Sequence, residues 1–360
     1  MLLVSERIIL QSVNYVTPVL SVVVVNWNRR ELLKSCLESL DRQTAAPPFE
    51  AIIVDNGSID GSIEMLNGMI NRLRFPLQII RNNRNLGFCG ANNQGIAAAR
   101  GEWIALLNND AEAAPDWLEK MYGAVPNRDD YGMIACKILV YEDRRKIDKA
   151  GHLIYLDGQN RGRGSGQRDQ GQFDRVEEIL WPDGCAALYR RSMLVQIGAF
   201  DEDLFAYGDD AELGMRARVA GWKCLYVPSA VVYHHRGATL GLFSSRRIEL
   251  IERNRILLAV KHFPLRLLWL NAFYSGVRFL AGAVAGLRGR GEASRFPGVT
   301  GKVRIAAALL RGAGQAITMI PATLQKRRQM RKLRRLSPKE VHQLILRYRI
   351  SLKELSEQAV

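Results

Sequence analysis

Neither of the two common phosphate-binding loops occurs in the 360-residue sequence. After its first long apolar run the chain continues NWNRR, which is no glycine-rich dinucleotide fingerprint, and no GxxxxGK[ST] segment occurs anywhere. Nicotinamide-dinucleotide and P-loop designs are thereby disfavoured, since each needs glycines to bring backbone N–H groups onto phosphate. Cysteine is sparse too. The five (Cys36, Cys89, Cys136, Cys185 and Cys224) stand about forty to fifty residues apart and match neither a metal-ligand spacing nor a small disulfide framework. A reducing compartment is the expectation. No secretory signal is legible, because Glu6 and Arg7 break the apolar start and no small-residue cleavage site follows. Between Pro264 and Leu287, Arg266 and Arg278 limit the longest uncharged run to Leu267–Val277, too short to cross a bilayer. At 48% hydrophobic and 24% charged the chain can bury a core, which excludes a disordered or collagen-like protein and a disulfide-stapled mini-protein.

Acidic residues are almost missing from the last third. Residues 246–360 carry 24 Lys and Arg against 6 Asp and Glu, a net +18, whereas residues 1–245 carry 27 against 30, a net −3. This predicts an enzyme-like domain over 1–245 and a basic region over 246–360 whose partner is an anionic surface, phospholipid or nucleic acid.

In the first domain short apolar runs alternate with helical stretches. Val19–Val25 is a β-branched strand, followed by a helix with Leu32, Leu33, Cys36, Leu37 and Leu40 on one face. Further strands are expected at 51–54, 77–80 and 103–107, with a helix over 91–100. The alternation predicts an α/β fold with a mostly parallel central sheet flanked by helices, where ligands sit beyond the carboxyl ends of the strands. Polar residues gather at those ends: Asn26 and Asn28, then Asp55 and Asn56, then Asn108, Asn109 and Asp110. A lone Asp there is commonly a turn former, but three such clusters at successive strand ends outline a site. Asp55 can accept hydrogen bonds from a base or ribose, and Asp110 can offer a hard oxygen to a divalent cation that neutralises a diphosphate.

Five fragments occur in order: VVVVNWNRRELLKSCLESL, IIVDNGSIDGS, NRNLGFCGANNQGIAAARGEWIALLNNDA, GAFDEDLFAYGDDAELGMRARVAGW and VVYHHRGATLG. Together, over about residues 19–245, they resemble the motif set of inverting family-two glycosyltransferases with the GT-A fold, particularly the rhamnosyltransferase-like branch. The resemblance implies a donor half over 19–110 and a catalytic half over 111–245. It assigns Asp55 to the nucleotide base and Asn85, Gly87 and Asn93 to the donor pocket, with Asn28, Asn108 and Asn109 beside them. Asp110 becomes the last position of a DXD-type metal motif read here as NND, completed by His234 or its neighbour His235, with Mg2+ or Mn2+ as cofactor. Asp210 is the catalytic base, and Asp209 replaces the usual Glu before it. Trp181, Asp183 and Gly184, with Asp209, fall on the acceptor side. The implied substrates are a nucleoside-diphosphate sugar, first dTDP-rhamnose and alternatively a UDP-hexose or UDP-N-acetylhexosamine, and a glycan or lipid-linked saccharide at the cytoplasmic face of the membrane.

The residues also support this chemistry by themselves. Transfer with inversion needs one base for the acceptor hydroxyl and one positive charge for the leaving diphosphate. Against this, Asp209, Asp210 and Glu212 equally suit a helix N-terminus, whose dipole attracts negative charge. A protein of another class, an inactive GT-A-fold adaptor holding membrane or nucleic acid through its tail, is disfavoured by the joint presence of Asp55, Asp110, Asp210 and His234.

Residues 158–172, rich in glycine and arginine, read as an exposed loop and as a candidate lid in which Arg161, Arg163 or Arg168 touches phosphate. In the tail, Asn271, Ser275, Arg278 and Gly282 fall on one helical face, with Leu267, Leu268, Trp269, Leu270, Phe273, Phe279 and Leu280 elsewhere. That pattern fits a helix in the membrane interface, a helix packed on the first domain, or a contact in a homo-oligomer. The run LQKRRQMRKLRRLS adds attraction for anionic headgroups; without aromatic interleaving or a zinc-finger pattern, nucleic acid is the weaker partner. Ser337 with Pro338 and Glu340, and Ser351 with Glu354, mark two short capped helices.

Overall fold

The computed structural model describes residues 9–10, 17–236, 244–291, 294 and 298–357. The first half comprises β1 (Ile9–Leu10), β2 (Leu20–Asn26), α1 (Arg30–Asp41), β3 (Phe49–Asp55), α2 (Ser62–Met69), β4 (Leu77–Arg81), α3 (Gly87–Ala98) and β5 (Trp103–Leu107). Strands β4, β3, β2 and β5 lie side by side and parallel. The β-branched run of β2 is buried on both faces, as its composition predicts: Leu20, Val22 and Val24 share one buried cluster with Leu33, Leu37 and Leu40 of α1, while Val23 belongs to the other and lies against Gly95 of α3. All four strands therefore end on one side, which brings Asn26, Asp55 and Asn108 together.

The second half adds β6 (Ala111–Ala113), α4 (Trp117–Gly123), β7 (Tyr131–Val140), β8 (Ile147–Lys149), β9 (His152–Ile154), β10 (Asn160–Gly162), β11 (Glu177–Ile179), β12 (Ala186–Arg190), α5 (Arg191–Ile197), α6 (Asp209–Val219) and β13 (Lys223–His234). Here the sheet becomes mixed. Strand β12 inserts antiparallel between β5 and β7, β13 runs parallel to β7, and β6, β8 and β11 join antiparallel. The expected parallel order thus holds for the first half of the α/β fold. The glycine-rich stretch 158–172 is pinned rather than loose: β10 pairs with β9, and the Gly166 N–H donates to Ile147 O at 2.9 Å. Arg163 is tied to Glu177 and to Ala150 O, and of the three arginines there only Arg161 lines the cavity described below.

The C-terminal third is helical: α7 (Ser245–His262), α8 (Leu265–Trp269), α9 (Asn271–Leu287), α10 (Gly298–Met330), α11 (Pro338–Arg347) and α12 (Leu352–Glu357). Helix α11 opens with the expected capping box, Ser337 and Glu340 bonding reciprocally. Helix α7 is built into the body. Its Lys261 and His262 reach the buried Glu212 of α6 at 2.7 and 2.8 Å, beside Arg216 of α6 at 2.7 Å. Helix α10 lies along α7 so closely that a Cβ on Gly312 would sit 2.4 Å from Glu249 O. A boundary at residue 245 accordingly cuts through packed structure.

Helix α9 is turned inside out relative to a surface helix. Its polar residues face protein: Asn271 Nδ2 donates to Asp157 O at 2.9 Å, and Arg278 bridges Asp157 at 2.6 Å and Glu252 at 2.8 Å, both carboxylates buried. Its apolar residues face outward, with Phe273, Leu280 and Leu287 63, 68 and 77% exposed. Trp269 of α8 is 86% exposed. On α10, Val303, Leu310, Ile317 and Leu324 are exposed at seven-residue intervals. By length and composition α10 is apolar enough to cross a membrane, a segment that the reading of 264–287 did not cover.

Candidate active site

A cavity of about 340 Å³ lies beyond the carboxyl ends of the parallel strands, with residues of α7 in its wall. Its edge at the first half is a net of side-chain amides. Asn109 Nδ2 donates to Asn26 Oδ1 at 2.8 Å, and Asn26 Nδ2 donates to Asp55 Oδ1 at 3.1 Å. Asp55 is fully buried, and its Oδ2 accepts from Ser58 N. Asn56 donates to Asn85 Oδ1 at 2.9 Å and to Gly87 O at 3.2 Å, and accepts from Leu86 N. Gly87 has φ +78°, and a Cβ there would strike Phe205 at 2.5 Å, so the NLG turn can carry only glycine.

At the end of β5, Asp110 Oδ1 lies 3.3 Å from His234 Nε2. His234 Nδ1 lies 2.7 Å from the buried Asp148, whose other oxygen is 3.0 Å from Arg236 Nε. A carboxylate behind a histidine fixes a proton on Nδ1, so that a cation displacing the Nε2 proton would meet a lone pair, the arrangement that metal-binding histidines use. Burial opposes the charge on His234, but Cys185, Asp110 and Asp148 outweigh it and hold the imidazole above its usual range; burial likewise opposes charge on Asp110, which His234 nevertheless holds low. His235 turns elsewhere, stacked on Tyr141 at 3.7 Å and 3.5 Å from Glu142.

A second cluster joins β8, β9, the turn before β12 and the start of α6. Asp210 Oδ2 lies 3.2 Å from His152 Nε2 and accepts from Gly184 N at 3.3 Å. The same His152 nitrogen is 2.8 Å from Asp183 Oδ2, which Lys149 Nζ reaches at 2.6 Å. Burial works against the imidazolium, yet Asp210 and Asp183 raise His152 to about 9. Burial, with Asp210 beside it, pushes the carboxyl of Asp209 up instead. His152, Asp183 and Asp210 converge within 4.8 Å and form the one cluster of three or more metal-type donors among the described residues. Lys149 already meets Asp183 there, so the pair Asp110 and His234, backed by Asp148, fits a cation better.

Of the residues singled out from the sequence for the donor, Asn85, Gly87, Asn108 and Asn109 line the cavity, as do Asp110 and His234. Asp183, Gly184, Asp209 and Asp210 line it too. Asn28 and Asp55 lie outside the lining; Asn28 accepts from Ile59 N and shapes the loop after β3. Asn93 ties α3 to Phe200 and Glu202, and Trp181 is fully buried behind the wall, 6.3 Å from the His152 ring. The sequence reading missed Asp148, Lys149 and His152, although the run IDKAGHLI carries the signal of charged residues set among buried apolar ones. It also missed Asn254 of α7, whose amide donates to the carbonyls of Leu204, Ala206 and Tyr207 at 2.6 to 3.0 Å. That amide holds the loop into α6, where Phe205 and Tyr207 adopt φ +63° and +66°.

The fold and site define a glycosyltransferase of the GT-A type. Among solved structures, that of GalNAc-T7 with UDP, GalNAc and Mn2+ superposes over 76% of this chain and 51% of its own with a TM-score of 0.55 at 18% identity, a likeness of fold. The sequence pattern of glycosyl transferase family 2 matches residues 21–198. The N-acetylglucosaminyl-diphospho-decaprenol L-rhamnosyltransferase of Mycobacterium tuberculosis (strain ATCC 25618 / H37Rv) is 30% identical over 247 residues, 62% of this chain and 78% of that protein. Protein y4gI of Sinorhizobium fredii, an uncharacterised protein, is 31% identical over 235 residues, of which this chain spans 25% of the relative's length. The chain belongs to glycosyltransferase family 2.

Proposed function

We propose that this protein is a metal-dependent inverting transferase that moves a sugar, rhamnose from dTDP-rhamnose in the first instance, from a nucleoside-diphosphate donor to a lipid-linked saccharide in cell-surface polysaccharide synthesis. The observation that carries the reading is the pairing of Asp110 with a His234 that Asp148 orients, in the same cavity as the Asp210 carboxylate. The similarity to a rhamnosyltransferase acting on a diphospho-decaprenol acceptor supports the choice of sugar and acceptor.

Asp110 and His234 would hold Mg2+ or Mn2+, a cation that supplies positive charge to the departing diphosphate. Asn85 and the Gly87 turn shape the donor side. Asp210 accepts the proton of the acceptor hydroxyl while that oxygen bonds to the anomeric carbon and the bond to the diphosphate oxygen breaks on the opposite face.

The C-terminal helices supply the reason for a membrane-borne acceptor. With the polar side of α9 committed to Asp157 and Glu252, its apolar side is left for a nonaqueous partner. Helix α10 adds Lys302, Arg304, Arg311, Lys326, Arg327 and Arg328 and no acidic residue. These charges favour an anionic bilayer over a second copy of the same face. The enzyme would work at the cytoplasmic face, peripherally, with α10 held against α7.

The test is a thermal-shift panel of dTDP, UDP and GDP and their sugars, with and without Mn2+ or Mg2+, on wild type and Asp110→Ala. A ligand that binds the folded state raises its melting temperature by mass action. A cation-dependent rise with one nucleotide, lost in Asp110→Ala, is the expected result; a rise with UDP sugars alone replaces rhamnose by a hexose. No rise with any nucleotide, in folded protein, overturns the transferase reading in favour of the adaptor.

A further inference from the structure

The acceptor side of the cavity carries more acid than one base requires. Asp183, Asp209 and Asp210 all line it, and Lys149 and His152 are the cations that meet Asp183 and Asp210. Carboxylates so close cannot all ionise unless positive charge is interleaved with them. His152 is suited to that place. It is 5% exposed, its ring lies beside Trp181, and Asp183 fixes its Nε2 at 2.8 Å while Lys149 fixes Asp183. Its orientation is thus settled before any substrate enters. The remaining reach of Nε2 is toward Asp210 Oδ2, which also takes the Gly184 N–H, while Asp210 Oδ1 takes the N–H of Ala211.

We propose that His152 is the positioning residue for the base: anchored through Asp183 and Lys149, it holds Asp210 Oδ2 so that the carboxylate meets the acceptor hydroxyl in one orientation. The proposal deepens the transferase reading and rests on it. His152 itself touches neither sugar nor diphosphate in this scheme. The proton taken from the acceptor stays on Asp210 until release to solvent, and the imidazole keeps its own protons throughout. Other titratable groups near the cluster include Asp148 and the Cys185 thiol beside Lys149, Asp209 at the head of α6, the Tyr189 phenol on β12 and Tyr207 before α6, and Arg161, Arg236, Arg247 and Arg255 line the same cavity. His152 and Lys149 are the cations whose ion pairs reach Asp183 and Asp210.

Two substitutions separate orientation from charge. His152→Gln keeps an N–H near the Nε2 position and removes the positive charge; His152→Ala removes both. With the donor found in the thermal-shift panel, His152→Ala should lower kcat on the order of 100-fold with the donor KM within about twofold, the pattern of an interaction used in the transition state. His152→Gln, which keeps an N–H near the Nε2 position, should recover most of the kcat lost in His152→Ala. A kcat within about threefold of wild type in His152→Ala, or a loss carried by KM, overturns the proposal.

A second measurement needs no donor and no variant at His152. The imidazole of His152 is titrated by NMR in wild type and in Asp210→Asn, where loss of the facing carboxylate should lower its pKa by about one unit. An unmoved titration sinks the pairing even if sugar is transferred. A shifted titration in a protein that turns over no donor leaves the pairing intact and sinks the transferase reading.

Discussion

The Asp210 side of the cavity and the seat of α9 are both built from buried ion pairs, yet the two use them to opposite ends. Around Asp210 the pairs leave an acid beside open space: Lys149 and His152 hold Asp183, and Asp210 still lines the cavity. Around Asp157 and Glu252 the pairs close over two buried carboxylates outside the cavity lining, with Arg255 and Arg278 as their partners. Removing a partner should therefore cost reaction rate in the first place and stability in the second. The comparison also explains the outward face of α9, since a helix that spends its polar side on the protein has only apolar side chains left to show.

Asp210→Asn breaks the comparison most sharply on the cavity side. Turnover should fall on the order of 1,000-fold, within the range for loss of a general base, while the melting temperature stays near wild type. On the other side, Arg278→Ala strands Asp157 and Glu252 and should destabilise the fold by about 3–5 kcal/mol, read by urea unfolding; an unchanged midpoint would show that Arg255 alone neutralises both. Replacing Phe273 and Leu280 by Ser tests the outward face. Stability should change by less than about 1 kcal/mol, whereas partition onto anionic liposomes should weaken on the order of tenfold per residue. Equal binding by the variant would move the contact to another surface.

The smallest effect sharpens the comparison through two buried histidines. Burial, outweighed by Asp210 and Asp183, leaves His152 raised to about 9, so its contribution is complete below its unfolded value near 6.5 and disappears as pH rises through 9. Burial, with Lys261 and Arg216 alongside, lowers His262 to about 4 despite Glu212, so its contribution is complete above about 6.5 and is lost as pH falls through 4. Urea midpoints should peak between these limits, and His262→Gln should flatten the acid side alone.

The first half of the fold was legible because β2 announces itself through unbroken β-branched residues and α1 through a regular apolar face. The insertion of β12 between β5 and β7 was not, because antiparallel partners distant in sequence leave no local period. Asp110 stood at a strand end, where position singles a residue out, whereas Asp210 and His234 were picked out through the resemblance to the family motifs. His152 and Lys149 lie on three-residue strands, too short for any pattern to separate a buried ion from a surface one. The amphipathic face of 271–287 was visible, but which side met the protein depended on Asp157, more than a hundred residues away.

The Asn254 amide has a consequence for anyone recombining this chain. It spans from α7 to the three carbonyls that precede Asp209 and Asp210, so the part of the chain that looks like an appendage keeps the loop into α6 in its left-handed path. A chimera assembled from modules cut at residue 245 would take Asp209 and Asp210 from one parent and the amide that supports their loop from the other. The exchangeable unit ends after α7, and the loop that carries Asp209 and Asp210 can be transplanted only with that helix attached.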